Sequence, residues 1–420
     1  MTFWELKYGT SAVQVVLDTS TYKTMLEVKE GVLKPTVGGF VTVTGQKKAL
    51  PAGAYSAQDF ELHATKVVIH SEASEEYLSK CPPGSAPDVK LRERLAYFRD
   101  PEFSTVLQVS AHLCRAFREY FRSAGMTEIL PPMMTGTQCE GGATLFKTMH
   151  PGRTTKEPVP AYLTQSSQFA LEYLVPALGD TWCMAPSFRA EHSTGPRHMT
   201  EFWHVEYERA GVFTMEQHVA GLKSMLVGVI ERLLVFAETE LKTLGQYEYV
   251  QTQLEKCRRM RIMTHREAIE ELRKRGIEKE PGVPFGDRDD IPEAAERRLI
   301  DEIGDVIALV RFPSEFKSFY MALCKDDPSL TESCDIEVPL VGEIIGSGIR
   351  KASYDQLLKC LLDAGLDPAD YEEYLELRRD GFMMTAGMGL GLGRVLSWLL
   401  RRPSIREVTA FPRFPGYLKM

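Results

Sequence analysis

The chain has 420 residues, a length that exceeds a typical single domain and predicts two. Hydrophobic residues make up 44% and charged residues 26%, a balance typical of globular rather than disordered proteins. The formal net charge of −8 argues against a uniformly basic nucleic-acid binder, although it is compatible with a local basic groove.

The apolar stretches and the cysteines indicate which further classes of protein can be excluded. No apolar stretch reaches the roughly 18 residues needed to span a bilayer, and the amino terminus lacks a basic-then-apolar leader, so we expect a cytoplasmic protein without a membrane partner. The eight cysteines contain no Cys-x-x-Cys pair. They therefore predict free thiols rather than a zinc ribbon or a disulfide framework.

Local patterns predict a small β-domain followed by a larger α+β domain. Short β-type runs at 12–17 and 40–44, separated by Gly- and Pro-rich turns, indicate a β-barrel over residues 1–75. Polar residues and prolines at 76–100 suit a hinge, which places the second domain at 101–420.

The second domain opens with a predicted amphipathic helix at 103–124, and Gly125 stands where a helix C-cap would be. Strand-like segments follow at 182–191, 200–208 and 343–349, and helical ones at 218–241, 353–364 and 392–400. Because consecutive strands are joined by a short loop, the sheet is predicted to be antiparallel.

The segments at 182–191 and 200–208 predict a hairpin with one polar face. Alternation places seven side chains on that face: Ser187, Arg189, Glu191, Phe202, His204, Glu206 and Glu208. An anionic nucleotide requires a guanidinium for phosphate, an aromatic plane for its base, and carboxylates for amines and metal. A salt-bridged sheet face would explain the hairpin equally well.

Two later segments carry further candidates. Asp335 and Glu343 could hold Mg²⁺ between them with phosphate oxygens, although an exposed acidic loop is the simpler explanation of these residues alone. Residues 387–394 (GMGLGLGR) would let a strand approach a ligand closely and place Arg394 at a helix start. Packing glycines look similar, and the βαβ context of a dinucleotide loop is missing.

The order of these segments resembles that of class II aminoacyl-tRNA synthetases of the aspartate/asparagine branch, closest to the eukaryotic and archaeal asparagine type. The first family motif is matched by GMTEILPP at 125–132, the second by FRAE at 188–191 with RHMTEF at 197–202, and the third by residues 387–394 with IREV at 405–408 and FPR at 411–413. The resemblance implies an N-terminal OB-fold that binds the anticodon, and a homodimer through the region around Pro132.

The resemblance also implies that ATP and Mg²⁺ are used. Arg189 and Arg394 would be catalytic, Asp335 and Glu343 would bind Mg²⁺, and ATP would be bound by Arg189, Glu191, His198, Phe202 and Arg394. In these roles Arg189 would hold the α-phosphate, Glu191 and Phe202 the adenine, and His198 and Arg394 the outer phosphates.

For the amino acid, the resemblance implies binding by Glu140, Gln168, Glu206 and Arg350. Aspartate enzymes of this branch resemble Gln-Ser-Pro-Gln-x-x-Lys, whereas this chain has Leu171 in place of the lysine. A substrate carboxylate would lack a counter-charge there, which favours asparagine. The expected reaction is therefore formation of asparaginyl-adenylate, followed by transfer to tRNA(Asn).

Several positions depart from the family pattern. Gly393 replaces an acidic residue, Met384 and Thr385 replace a Pro-His pair, and STGP at 193–196 replaces an arginine-rich loop. Met1 matches the start of the second OB-fold strand, so the first strand is expected to be absent. These departures leave two alternatives: a diverged adenylate-forming, asparagine-synthetase-like paralogue that does not charge tRNA, and a catalytically silent regulatory or tRNA-binding homologue.

Overall fold

A computed structural model describes residues 1–9, 11–18, 26–28, 35–50, 58–74, 76, 79–139, 144–152, 157–379, 381 and 383–418. The chain forms two compact units, Met1–Gln108 and Val109–Met420. None of the helices in the described part of the chain combines the length and hydropathy needed to cross a membrane. All eight cysteines are free thiols, as predicted.

The first unit is built on a five-stranded sheet. Its strands are β1 (Thr2–Tyr8), β2 (Ser11–Leu17), β3 (Leu26–Val28), β4 (Phe40–Ala49) and β5 (Phe60–Ser71). The long strand β5 pairs with β2 and β3 in parallel and with β4 antiparallel. Alternate residues of β2 and β5 face inward, so Val15, Leu17, Val67 and Ile69 form a small buried core. The predicted strands at 12–17 and 40–44 correspond to β2 and β4.

The second unit contains an eight-stranded sheet in the order β12-β13-β14-β15-β16-β11-β10-β6. Its strands are β6 (Thr127–Glu128), β10 (Thr181–Phe188), β11 (Glu201–Ala210), β12 (Arg261–Thr264), β13 (Ile307–Val310), β14 (Ser333–Val338), β15 (Gly342–Ile349) and β16 (Thr385–Gly391). The strands from β13 to β10 pair antiparallel, as predicted. Only the outermost pairs, β12 with β13 and β6 with β10, are parallel. A smaller sheet contains β7 (Met134–Thr135), β8 (Lys147–His150) and β9 (Val159–Leu163).

Helices pack around these sheets. They are α1 (Pro87–Arg92), α2 (Arg94–Tyr97), α3 (Pro101–Ser123), α4 (Gln168–Leu178), α5 (Met215–Phe236), α6 (Glu238–Thr243), α7 (Tyr247–Arg258), α8 (His265–Lys274), α9 (Glu293–Ile303), α10 (Tyr354–Asp363), α11 (Glu372–Arg379) and α12 (Leu392–Leu399). Short 3₁₀ turns lie at Ser314–Phe316, Pro368–Tyr371 and Ile405–Glu407. The helix predicted at 218–241 is in fact two, α5 and α6, because Ala237 leaves helical geometry.

Helix α3 agrees with the predicted amphipathic helix. The apolar stripe that includes Val109, Leu113, Phe117 and Phe121 is completely buried. Gly125, two residues after the helix, has a φ of +74°, which glycine adopts without strain. Phe121 stacks on Trp182 of β10 at 4.6 Å between ring centroids, so α3 covers the apolar face of the central strands. The opposite face of these strands is left for the site.

Candidate active site

One cavity of about 270 Å³ lies against the central strands of the second unit. Ten of the eleven predicted site residues line it: Gln168, Arg189, Glu191, His198, Phe202, Glu206, Asp335, Glu343, Arg350 and Arg394. The eleventh, Glu140, lies outside the described residues. The residues predicted from the sequence therefore come from separate segments of the chain, and their side chains meet at this cavity.

The hairpin β10–β11 supplies the guanidinium and the aromatic ring that were predicted to contact a phosphate and a base. Strand β10 ends at Phe188, so the prediction of a strand through Glu191 was wrong. The Ala190 N–H leaves the ladder and donates to the Thr144 carbonyl at 2.7 Å instead. Arg189 nevertheless lies beside the half-buried ring of Phe202, with its Cζ 5.4 Å from the ring centroid. A guanidinium and an aromatic plane thus adjoin each other at the cavity.

Glu206 of β11 is held rigidly at the bottom of the cavity. Its carboxylate accepts hydrogen bonds from the Ser166 hydroxyl and, at 2.8 Å, from the Ser167 N–H. The Ser166 hydroxyl also accepts a bond of 3.1 Å from the Gln168 N–H at the start of α4. Ser166 therefore links two predicted amino-acid ligands, a role that the sequence pattern did not reveal.

Arg350 forms a buried ion pair with Glu208. Its Nε lies 3.1 Å from Glu208 Oε1 and its Nη2 2.9 Å from Oε2, a forked geometry. Burial opposes the charge on Arg350, but the carboxylates of Glu208 and Glu172 outweigh burial and raise the pKa of the guanidinium. Arg350 is therefore charged, and that charge is already matched by a protein carboxylate.

The predicted metal ligands, Asp335 of β14 and Glu343 of β15, each carry a cationic partner. Lys317 Nζ lies 2.5 Å from Asp335 Oδ2, and Arg394 Nη1 lies 3.1 Å from Glu343 Oε2. Burial raises the pKa of Asp335 to about 6, against the effect of Lys317. Burial also acts upward on Glu343, but Arg394, Lys317 and Arg197 bring its pKa to about 2. Lys317 was not among the predicted residues, because its contact with Asp335 depends on the fold and not on a local sequence pattern.

The two carboxylates meet over Gly346. A Cβ at Gly346 would lie 3.0 Å from Glu343 Oε1 and 3.9 Å from Asp335 Oδ1. Within the described ranges, no group of three or more His, Cys, Asp or Glu could hold a metal by itself. Mg²⁺ is usually bound by one or two carboxylates together with phosphate oxygens and water. The pair therefore fits Mg²⁺ that arrives with a nucleotide, rather than a permanently caged ion.

The loop at 193–196 is fastened by the turn Ile405–Glu407. Arg406 Nη2 donates to the Thr194 carbonyl at 2.9 Å, and the Ile405 N–H to the Pro196 carbonyl at 3.0 Å. Close packing also explains Gly393, because a Cβ there would stand 3.3 Å from Ile405 Cβ. Two of the departures from the family pattern, the loop at 193–196 and Gly393, are thus accommodated by local packing.

Leu171 and Tyr320 border the cavity as well. Leu171 is 1% exposed and packs against Ile129, Cys183 and Ala185, so its position is apolar. Tyr320 belongs to the aromatic core around Phe169.

A family model described as "tRNA synthetases class II (D, K and N)" matches residues 86–415. The chain belongs to this family. Among relatives of this class II chain, the cytoplasmic asparagine–tRNA ligase of Mus musculus is 37% identical over 98% of this chain and 71% of its own length. The corresponding ligase of Saccharomyces cerevisiae is 35% identical, over 99% and 73%.

Solved structures of class II synthetases agree with the fold of the whole chain. Asparaginyl-tRNA synthetase of Entamoeba histolytica, in complex with asparaginyl-adenylate, has a TM-score of 0.86 at 29% identity and covers 100% of this chain and 92% of that one. The enzyme of Pyrococcus horikoshii with the same adenylate has a TM-score of 0.84 at 32% identity and the same coverage. The predicted architecture, an N-terminal OB-fold followed by a class II catalytic domain, is confirmed.

Proposed function

We propose that the chain is an asparagine–tRNA ligase, which activates asparagine with ATP and transfers it to tRNA(Asn). The observation that carries the proposal is the convergence of ten predicted side chains on one cavity. A catalytically silent homologue would have no physical need to keep an arginine, an aromatic ring and paired carboxylates in contact around an open space. Relatives that are named asparagine–tRNA ligases add support.

In this proposal the cavity binds ATP by charge and stacking. Arg189 holds the α-phosphate while the amino-acid carboxylate attacks, Phe202 stacks on adenine, and Glu191 accepts hydrogen bonds from its amino group. His198 and Arg394 contact the outer phosphates. Burial and then Arg394 lower the pKa of His198, so this side chain is neutral and donates an N–H rather than a charge. Acceleration comes from positioning and charge stabilisation, without a protein nucleophile.

Asp335 and Glu343 would hold Mg²⁺ in this reaction. The ion would supply positive charge against the phosphates of ATP. Lys317 and Arg394 already stand beside the two carboxylates, so these side chains bring further positive charge to the same place.

The amino-acid end of the cavity favours a neutral side chain. Glu206 and Gln168, with Glu140, would bind the amino and side-chain groups of the amino acid, and Arg350 would contact the side-chain oxygen. Because Glu208 already balances Arg350 and Leu171 is apolar, a second substrate carboxylate would be buried without a counter-charge. The neutral side chain of asparagine could be buried there without the cost of an unpaired charge.

ATP–pyrophosphate exchange with asparagine against aspartate tests the assignment, and charging of tRNA(Asn) tests the second step. Asparagine should drive exchange and aspartate should not. Better exchange with aspartate would overturn the specificity. Exchange without charging would indicate the diverged adenylate-forming paralogue, and absence of both would indicate the silent homologue.

Two further partners belong to the proposal. A homodimer through the region around Pro132 would cover exposed apolar side chains, since Leu130, Met133 and Met134 are 96%, 52% and 47% exposed. A monomer in sedimentation at micromolar concentration would refute it. The N-terminal OB-fold would bind the anticodon by stacking unpaired bases. The names of the relatives also support a cytoplasmic location.

A further inference from the structure

A buried carboxylate, Glu172 of α4, lies behind the amino-acid end of the cavity without lining it. Its Oε1 accepts a hydrogen bond of 2.9 Å from Gln168 Nε2 and lies 3.8 Å from Arg350 Nε. Glu172 therefore contacts two side chains to which the proposed function gives amino-acid binding. Its own orientation fixes the direction in which the Gln168 amide points.

Helix α11 determines that orientation. The Tyr374 hydroxyl donates to both Glu172 oxygens, at 2.9 and 3.1 Å, and Arg378 Nη2 donates to Oε2. Arg378 also stacks over the Tyr374 ring, with its Cζ 3.9 Å from the centroid, and its Nε donates to the Lys351 carbonyl at 3.2 Å. Neither Tyr374 nor Arg378 borders the cavity, so both act on it through Glu172.

Because the groups in this arrangement are charged and buried, it should depend strongly on Tyr374 and Arg378. Two carboxylates, Glu172 and Glu208, are buried with two guanidiniums, Arg350 and Arg378. Buried charges are tolerated when they are paired and hydrogen-bonded. If Tyr374 or Arg378 were lost, Glu172 would compete with Glu208 for Arg350 and would release the Gln168 amide. The cavity would then present its two ligands in altered directions.

We propose that Tyr374 and Arg378 of α11 are positioning residues for amino-acid binding, which act by holding Glu172 against Gln168 and Arg350. This inference rests on the proposed function, because that function gives the amino-acid roles to Gln168 and Arg350. Within the described part of the chain, the polar contacts of Glu172 are with Gln168, Arg350, Tyr374 and Arg378, and not with a side chain proposed to bind ATP. The effect should therefore fall on one substrate. The expected signature is selective loss of affinity for asparagine.

Tyr374→Phe is the sharpest variant, because it deletes one hydroxyl and keeps the ring stacked on Phe169, whose centroid is 4.1 Å away. We expect roughly tenfold weaker asparagine binding by calorimetry on the full-length chain, as for loss of a hydrogen bond to a charged group. The KM for asparagine in pyrophosphate exchange should rise equally, while the KM for ATP stays within about twofold. Arg378→Lys should retain more affinity than Arg378→Gln, because lysine keeps the charge.

Tyr354→Phe is the matched control. The hydroxyl of Tyr354, at the start of α10, accepts from Arg379 of α11 at 3.0 Å but does not reach Glu172. It should bind asparagine as the unsubstituted chain does. Unchanged asparagine affinity in Tyr374→Phe, or an equal rise in both KM values, would overturn the inference.

Asparagine binding and ATP–pyrophosphate exchange, measured separately, distinguish a failure of this inference from a failure of the proposed function. An unsubstituted chain that binds asparagine but gives no exchange would refute the proposed function, and weaker binding by Tyr374→Phe would still support the positioning role. An unsubstituted chain that binds no asparagine would refute both.

Discussion

Glu208 and Arg350 form their ion pair directly across Gly387, which lies on the strand between them. Glu208 is the register partner of Gly387 in β11, and Arg350 follows β15 on the other side of β16. A Cβ on Gly387 would overlap both Glu208 Oε2 and Arg350 Nη2. The glycine is therefore required by the ion pair, and not by backbone conformation.

Gly387→Ala is predicted to push the two side chains apart. We expect loss of about 1–3 kcal/mol in the free energy of unfolding, as for overpacking of a dense core, together with weaker asparagine binding. Gly391→Ala on the same strand is the control, because its nearest neighbours are Arg394 Cγ and Cδ at 3.8 Å. Thermal unfolding of both variants checks the contrast, and equal melting temperatures would contradict it.

Arg189→Ala is predicted to abolish ATP–pyrophosphate exchange, with a fall of roughly 100-fold or more, since it removes charge that stabilises the transition state. The free energy of unfolding should change by no more than about 0.5 kcal/mol, because this half-buried side chain contributes little packing. Arg209→Ala serves for comparison: Arg209 pairs with Asp180 on the same hairpin, outside the cavity. Near-full exchange in Arg189→Ala would remove this residue from the phosphate site.

Asp335→Asn is predicted to raise the Mg²⁺ concentration required for exchange by roughly tenfold or more. Mn²⁺ binding in the presence of ATP, followed by electron paramagnetic resonance, gives a readout that is independent of turnover. Asp326→Asn provides a control, because Asp326 pairs with Arg311 away from the cavity. Unaltered Mn²⁺ affinity in Asp335→Asn would exclude this carboxylate as a ligand.

His218 of α5 should make the fold sensitive to acid. It is 2% exposed, and burial, followed by the charges of Arg350 and Arg209, lowers its pKa to about 3 from an ordinary 6.5. Because the unfolded chain binds a proton below pH 6.5 that the folded chain does not, the stabilising contribution is complete above pH 6.5 and is lost as the pH falls towards 3.

The free energy of unfolding of His218→Leu, compared with that of the unsubstituted chain, should therefore increase by about 2 kcal/mol when the pH is lowered from 8 to 5. Urea unfolding at both pH values measures this difference, and the constant cost of the substitution cancels. A pH-independent difference for His218→Leu would contradict the prediction, because it would mean that His218 binds a proton equally well in the folded and the unfolded chain.

Much of the site was predictable because its residues alternate along strands. Phe202 and Glu206 share a face by period two, and the structure places both at the cavity. The end of β10 was not predictable, because the polar alternation continues to Glu191 although the backbone leaves the ladder at Ala190. Glu172 and Arg378 were not predictable either, since a charged residue on a helix usually faces solvent, and their burial depends on segments about 200 residues apart.

The sheet order has a consequence for how this chain is made. Strand β16, which is the last strand of the eight-stranded sheet in chain order, lies between β11 and β15 in the middle of that sheet. On the ribosome the growing chain would therefore carry two unfinished half-sheets with facing open edges until residues 385–391 emerge. Such edges can pair with the wrong chain, so this protein should depend on chaperones late in its synthesis, and a chain shortened before Thr385 should aggregate.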